Sequence, residues 1–599
     1  MLTLLALFGL AYYFTFGPNP PIRISKETTH LTSPLDAEGL PDYTGALLAD
    51  LRKSAGPGPN GAAAFLEAMW PTDRQYYEDL YGEDGKLLCK ELGLSHPPDL
   101  SKRFTRFDTQ EYRLAALRFL RKKLPRKVAP GDLQESPDLN VFGDSISLTR
   151  EEFFTAPEEE AARDDRVDTL IWNCYPVGRP WTKEDLPFLD KWIVENEAEF
   201  ESLVSGIEAG RWYLPAPQWL HGGRLSITVD TDLPGIFRDA ARTLYTKANH
   251  SHGNKDYPAA VRESVAILKL ASRNSRRPLL IDQLVSIAID GIGLSEIDAF
   301  TQDGDIPAED LRVLLKEIDR LPPCTKMVEA WSTGERYYSL SFVIGYQSAA
   351  ISDPLGQGAA PVAVLPMLAG LLSIDWNPVL VVINDYYDRL EAAYKLPTYQ
   401  QQKQALDDLE GRMVAMANSV GFGPSSAARM LSPGSRGNFI ADYFLGGLLG
   451  SSLQATFEAE SRARTKRQLT RLGVALAIYR AEQGDYPGSL DQLVPSVLPE
   501  LPVDLYHSKP FQYRKTDDGF LLYSLGENGV DDGGSRVDGF SEYVFEGKRL
   551  DTEFDWETEE VTAQDQAVYD LIEKIPAGAD DWSLRVPLPL APWPWKGIE

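Results

Sequence analysis

Residues 462–483 read RARTKRQLTRLGVALAIYRAEQ, and residues 520–534 read FLLYSLGENGVDDGG. The spacing of apolar residues in the first segment predicts one long basic helix. A turn follows at residues 484–487, then a short second helix, and the second segment is typical of a strand that runs into a loop. This order predicts a small unit of mixed α and β structure at the end of the chain.

The segment before this unit is predicted to be helical. In residues 237–321 the apolar positions recur at helical spacing and form stripes that we expect to share one core. Residues 250–255 are expected to form a polar turn, with Asp256 as the cap of the next helix. Residues 253–260 (GNKDYPAA) resemble the second helix of a tetratricopeptide (TPR) unit, but no repeat of about 34 residues is clear.

Residues 2–16 carry no charged side chain, and residues 17–21 (GPNPP) end this apolar run. A helix needs about 20 apolar residues to cross a bilayer, so the run is marginal in length. No Lys or Arg precedes it, although a signal peptide would require one. We expect an uncleaved membrane anchor with the bulk of the chain on the extracytoplasmic (periplasmic) side. A signal peptide and an amino-terminal core helix are the alternatives.

Composition limits the classes of function. The 599 residues are enough for roughly three or four domains. The 88 acidic and 60 basic residues give a net charge of −28, which excludes non-specific binding to nucleic acid or anionic lipid as the main activity. Cys89, Cys174 and Cys324 lie far apart without CxxC spacing, and this pattern predicts neither a disulfide framework nor a zinc site.

The sequence contains no HExxH, GxxxxGK[ST] or GxSxG motif. His250 and His252 could form a metal-binding pair, but a solvent-facing turn explains them more simply because no third ligand is nearby. Glu335, Arg336 and Asp375 could be buried acid or base groups, yet ion pairs or helix caps are the simpler interpretation. We therefore name no catalytic residue, and a non-catalytic role is favoured.

Residues 525–538 form a loop rich in glycine and carboxylate side chains. Such a loop can wrap oxygen ligands round a hard cation, because glycines let carbonyls turn inward and aspartates supply charge. The EF-hand spacing is missing, and a plain acidic turn is the alternative. The predicted cofactor is calcium. Its candidate ligands are Leu525, through its carbonyl, and the side chains of Asn528, Asp531, Asp532 and Asp538.

The last fifth of the chain resembles the soluble part of the major pseudopilin of bacterial type II secretion systems. Tyr486–Pro487, followed by Leu490 and Leu493, is similar to the YP turn and second helix of that family. Residues 509–513 (KPFQY) and 520–529 are similar to its two central strands and its loop. In that family this loop binds calcium, so the resemblance implies a calcium site here.

The chain also departs from the pseudopilin pattern. Asn528 stands where the family has Asp, and residues 536–579 insert before a predicted last strand at 581–586. The amino-terminal pilin motif GFTLIE is absent, which implies that the chain does not polymerise as a pseudopilin does. Five short segments resemble a family of uncharacterised, membrane-anchored bacterial proteins, and this resemblance implies no known activity. They are residues 26–29, 33–35, 179–181, 334–336 and 375–377.

The expected fold class is mainly α, with an irregular, TPR-like helical-hairpin domain followed by a small α+β pseudopilin-like domain. The expected parts are a membrane anchor or signal segment (1–17), an N-terminal helical region (18–127), an irregular linker (128–180), a helical domain (181–455), the pseudopilin-like domain (456–590, with the insertion 536–579) and a tail (591–599).

The expected function is non-catalytic binding or scaffolding at the cell envelope, with an unidentified protein partner and a link to a secretion apparatus. A hydrolase with its active site in a cleft of the helical domain is one alternative. A calcium-stabilised structural module is the other.

Overall fold

Helices carry most of the chain, as the sequence predicts. The computed structural model describes residues 15–71, 74, 77–105, 110–123, 154–162, 179–222, 232–347, 372–419, 432–448, 453–538, 542–545, 548–550, 574–576 and 579–587. In these ranges the α-helices of four residues or more are α1 Tyr43–Ser54, α2 Gly61–Ala68, α3 Glu78–Tyr81, α4 Glu83–Leu92, α5 Gln110–Lys123, α6 Glu158–Ala161, α7 Pro187–Glu195, α8 Glu197–Glu208, α9 Asp232–Gly253, α10 Tyr257–Asn274, α11 Leu280–Gln302, α12 Ala308–Arg320, α13 Arg336–Gln347, α14 Asn377–Tyr394, α15 Tyr399–Ser419, α16 Pro433–Leu448 and α17 Leu453–Gln483.

Two small antiparallel sheets follow the helices. The strands are β1 Gln512–Lys515, β2 Phe520–Ser524, β3 Arg536–Asp538, β4 Glu542–Phe545, β5 Lys548–Leu550 and β6 Trp582–Val586. The first sheet has the order β1-β2-β6, and the second has the order β3-β4-β5. The prediction of a mainly helical chain is therefore confirmed, and the strands near its carboxyl end form small antiparallel sheets.

The predicted apolar stripes of α9 and α10 are buried. Leu244 and Leu268 are both completely inaccessible to solvent. The stripes do not share one core, however, because α10 divides its apolar residues between two clusters. Ala271 packs in the cluster that contains Leu244, whereas Leu268 packs in a cluster formed with α11, α12 and α17. Helix α10 is therefore buried on two sides, whereas its single predicted apolar stripe indicated burial on one side only.

The polar segment before α10 is more helical than predicted. Helix α9 runs through His250 and His252 to Gly253, and only residues 254–256 separate it from α10. Asp256 caps α10 as predicted, since its side chain accepts a hydrogen bond from the amide of Ala259. The two histidines are therefore helix residues, and their side chains have partners that are distant in sequence.

Three completely buried carboxylates of α11 each lie close to a basic side chain from another part of the chain. The pairs are Asp282–Arg277 at 3.2 Å, Asp290–Arg467 at 2.5 Å and Glu296–His252 at 3.5 Å. Arg467 belongs to α17 and His252 to α9. Buried charges are tolerated when they are paired, so these contacts fix the packing of both helices on α11.

The carboxy-terminal unit contains α17 and both sheets. Gly484, with a φ of +84°, turns the chain after α17, and the predicted second helix is a single 3-10 turn at Leu490–Leu493. Strand β2 is central and all five of its residues are buried. The core under this sheet also contains residues of α10, α11 and α12, so the unit shares its core with the helices before it.

The prediction of a membrane anchor is contradicted. The predicted extracytoplasmic location depended on that anchor and is contradicted with it. None of the helices in the described ranges is long and apolar enough to cross a membrane. The uncharged run 2–16 is itself shorter than the about 20 residues that a span requires. Residues 1–14 lie outside the described residues, as do most of the predicted linker 128–180, most of the insertion after residue 550, and the tail.

Candidate functional site

Three aspartates converge at the end of the first sheet. One carboxylate oxygen from each of Asp532, Asp580 and Asp581 lies within 4.8 Å of the other two. We call these three residues the acidic cluster. No second group of His, Cys, Asp or Glu with this spacing occurs in the part of the chain that the structure describes.

Strand pairing explains why these residues meet. Strands β2 and β6 are antiparallel, with Ser524 opposite Trp582, so the residues that follow β2 lie beside those that precede β6. Gly526 in this loop has a φ of +61°, and a Cβ there would lie 2.3 Å from the carbonyl oxygen of Asp580. Only glycine lets the loop approach Asp580 this closely.

Asp580 fixes the loop through its side chain. Its Oδ2 accepts hydrogen bonds from the backbone amides of Glu527, at 2.8 Å, and Asn528, at 3.0 Å. Its Oδ1 is buried and accepts no hydrogen bond from a described residue. Burial raises the pKa of Asp580 above its ordinary value, although the two amides act in the opposite direction.

Asp581 is the most buried member of the acidic cluster, with no exposed surface. Its Oδ2 accepts the amide of Gly534 at 2.8 Å, and its Oδ1 has no hydrogen-bond donor among the residues described. Burial raises the pKa of Asp581 to about 7, the Gly534 amide opposes this, and the charges of Asp532 and Asp531 add to it. This buried carboxylate oxygen without a donor is an unsatisfied acceptor.

Asp532 completes the acidic cluster. Its Oδ2 accepts the side-chain amide of Asn528 at 2.9 Å and the backbone amide of Asp580 at 3.3 Å. Within the described ranges no Lys, Arg or His forms a salt bridge with Asp532, Asp580 or Asp581. Carboxylates this close repel each other unless a proton or a cation lies between them. Their oxygens are the ligand type that hard divalent cations take.

Only some of the five predicted calcium ligands lie at or beside the acidic cluster. Asp532 is in the acidic cluster, and Asn528 contacts it. Asp531 is exposed and accepts hydrogen bonds from the Tyr523 hydroxyl of β2 and from the Gly533 amide of its own turn. The amide of Leu525 donates to Asp504. Asp538 is the last residue of β3, opposite Glu542, and its side chain lies outside the described part.

The sequence analysis missed Asp580 and Asp581. They lie about fifty residues after the loop, on the far side of the insertion, so no local spacing joins them to Asp532. A signal was present, because Asp580 immediately precedes the strand predicted at 581–586 and Asp581 begins it. Pairing that strand with β2 in the antiparallel sense would have placed both aspartates against the loop.

The histidines and the buried charges have structural partners. His250 Nε2 lies 2.9 Å from Asp190 Oδ1. His252 lies between Glu296 and Asp303, with 3.2 Å from Nε2 to Asp303 Oδ2. Burial alone would lower the pKa of His252, but the hydrogen bond to Asp303 and the nearby Glu296 carboxylate outweigh burial and raise it. Both rings are thus engaged with carboxylates, which differs from the predicted solvent-facing turn.

Three further predicted positions also have structural roles. Glu335 Oε1 accepts the amide of Leu280 at the start of α11, and Asp375 Oδ1 accepts the amide of Asn377 at the start of α14. Arg336 Nη2 lies 2.8 Å from Asp388. Interpretation of these residues as helix caps and ion pairs is therefore confirmed.

A cavity of about 240 Å³ lies between α12, α17 and the loop that follows α11. Its lining consists of Asp303, Gly304, Ile306, Leu311, Ala477, Arg480, Ala481 and Gly484. The lining of this cavity contributes no Ser, Thr, Cys or His side chain. Its Asp303 carboxylate is engaged with His252 and Tyr257. The cavity thus offers no nucleophile and base in contact with each other, which hydrolysis by a side-chain nucleophile would need.

Comparison with protein-family models, with curated proteins and with solved structures finds no match for this chain. The resemblance to the pseudopilin therefore stays an expectation from the sequence, and the secretion-related role that it implied is not carried further.

Proposed function

We propose that the protein is a non-catalytic binding protein whose carboxy-terminal unit is held by a divalent cation, in the first instance calcium. The acidic cluster carries this proposal. Three carboxylates converge there without a basic partner among the described residues, and one oxygen of the completely buried Asp581 has no donor. A bound cation would neutralise the three carboxylates and would also give the unsatisfied Asp581 oxygen a partner.

The chemistry of the acidic cluster favours calcium over a transition metal. All three side chains offer carboxylate oxygen, whereas His and Cys ligands, which suit zinc and copper, are missing from the cluster. Calcium takes about six to eight oxygens in a flexible geometry, so backbone carbonyls and water can complete its shell. The hydrogen bonds from loop amides to Asp580 Oδ2 and Asp581 Oδ2 would then hold these two side chains in position around the cation.

The finer assignment of the fold belongs to this proposal. The order of a long helix, a turn with Tyr486–Pro487, strands β1 and β2 and the acidic loop supports a pseudopilin-like domain. The paired helices α9 and α10, with Asp256 as the cap between them, support a TPR-like hairpin. Both assignments rest on element order and local sequence.

A titration of the full chain with calcium tests the proposed site. Isothermal calorimetry on chelator-treated protein is expected to show one binding event, which Asp581→Asn weakens by removing a buried charge. Asp531→Asn is the matched control, because it removes an equal charge from the exposed side of the same loop and keeps an acceptor for the Tyr523 hydroxyl. No binding to the wild type, or equal losses in both variants, would contradict the site.

A further inference from the structure

One residue connects the acidic cluster to the helical part of the chain. Glu527 donates its backbone amide to Asp580 at 2.8 Å. Its side chain reaches in another direction, to α15, where Oε1 lies 2.8 Å from Lys403 Nζ and Oε2 accepts the Tyr399 hydroxyl at 3.0 Å. The main chain of Glu527 is thus bound to the cluster while its carboxylate is bound to a helix outside the carboxy-terminal unit.

Tyr399 lies at the centre of the contact with α15. It is buried and stacks on Phe457 of α17, with ring centroids 5.1 Å apart. It also meets Tyr506 edge-on at 4.7 Å. Asp504 accepts the backbone amides of both Tyr506 and Leu525, at 3.0 and 3.2 Å. The start of the loop therefore reaches Tyr399 by a second route besides Glu527.

Repulsion within the acidic cluster acts on this connection. Asp580 holds the loop amides of Glu527 and Asn528, and the close approach at Gly526 leaves little space for Asp580 to move without the loop. Like charges at this distance are relieved either by protonation or by separation. A divalent cation removes the repulsion and so favours the loop position in which Glu527 meets α15.

We propose that cation occupancy of the acidic cluster controls how firmly the carboxy-terminal unit docks on α15, with Glu527 as the coupling residue. The inference rests on the proposed function, because it requires a cation at that site. In the cation-free state the loop relaxes, the contacts to Lys403 and Tyr399 loosen, and this end of α15 becomes accessible. By linkage, docking on α15 in turn strengthens cation binding by the same factor.

Hydrogen–deuterium exchange on the full chain, with calcium and with a chelator, measures this coupling. Calcium is expected to slow exchange of the amides in residues 399–410, with an upper limit of about 100-fold at a calcium concentration of 100 times Kd. Glu527→Ala keeps the backbone amide that binds Asp580 but removes both contacts to α15. At calcium concentrations that saturate the variant, the calcium-dependent protection of α15 should be lost.

Glu482→Ala is the matched control. It removes a similarly exposed ion pair between two helices, Glu482–Arg312 at 2.7 Å, which does not touch the loop. It should leave the calcium effect on α15 unchanged, and loss of the effect in both variants would overturn the proposal.

Calorimetry on the same samples separates the two proposals. Calcium binding without a change of exchange in α15, or with equal protection in the wild type and Glu527→Ala, refutes the coupling and leaves the cation site intact. If calcium does not bind the wild type, the cation site itself is refuted, and the coupling falls with it.

Discussion

Replacement of Arg467 by Met tests how α17 is held on α11. The Arg467 side chain is 12% exposed and lies 2.5 Å from Asp290 Oδ1, and the Asp290 side chain is 1% exposed. Arg467 also donates to the carbonyl oxygen of Pro322 at 2.7 Å. Met has a comparable length and keeps the apolar contacts of the stem, so the variant mainly leaves Asp290 as a buried carboxyl group with no cationic partner, beside the Cys324 thiol.

Removal of one partner from a buried pair costs about 3–5 kcal/mol. Protonation can relieve this loss, because burial already raises the pKa of Asp290 in spite of the charge and hydrogen bond of Arg467. Below the pKa of the unfolded carboxyl, about 3.9, both states carry the proton. As the pH rises from there through the folded pKa, the unfolded state loses its proton first and is favoured. The destabilisation by Arg467→Met should therefore be largest near neutral pH and smaller in acid.

Urea unfolding followed by far-UV circular dichroism, at about pH 7 and about pH 5, measures the effect. Arg471→Met is the control, since the pair of Arg471 with Asp319 is more exposed and should cost about 1 kcal/mol or less. The double variant Arg467→Met with Asp290→Asn should recover most of the loss. A loss below about 1 kcal/mol near neutral pH, or a loss equal at both pH values, would refute the reasoning.

Three further measurements examine other parts of the fold. Leu268→Ala should reduce the free energy of unfolding by about 2–5 kcal/mol, because this leucine is completely buried; a change below about 0.5 kcal/mol would place its face in solvent. Contacts of His252 with Glu296 and Asp303 raise its pKa, so their contribution is fully present below about pH 6.5 and is lost as the pH rises through the folded pKa. His252→Gln should remove that part of the pH dependence in urea unfolding, and an unchanged slope would contradict it. Gly526→Ala should destabilise the chain by more than about 1 kcal/mol, whereas Gly533→Ala, which has the same sign of φ but open space for a Cβ, should cost less; equal losses would mean that the close approach is unimportant.

Local periodicity was enough to predict the helices but not their surroundings. Leu244 of α9 and Leu268 of α10 each belong to an apolar stripe at helical spacing, and that pattern alone predicts the two helices. The end of α9 was mispredicted because His250 and His252 are polar, and polar residues between apolar stripes normally indicate a turn. Their helical conformation is stabilised by Asp190 and Asp303, which lie 60 and 51 residues away in sequence.

The candidate site shows the same limit more sharply. The composition of the loop predicted acidic oxygen ligands, and Asp532 does lie in the acidic cluster. Adjacent residues in such a turn project in different directions, however, so Asp531 accepts from Tyr523 of β2 while Asp532 faces Asp580 and Asp581. Which of the two aspartates joins the cluster depends on the pairing of β6 with β2. The two strands are separated by a long insertion, and the composition of the loop does not encode their pairing.

The shared core explains why the cation site should be studied in the full chain. Leu472 and Phe520 of the carboxy-terminal unit pack in one cluster with Leu268 and Leu314 of the preceding helices. Separation of the unit would expose this apolar surface, at a cost of about 25 cal/mol for each Å². Loss of calcium binding in the separated unit could then follow from loss of its fold. In the full chain the preceding helices support the sheet whether or not a cation is bound. The effect of a change at the acidic cluster can therefore be measured while the core stays intact.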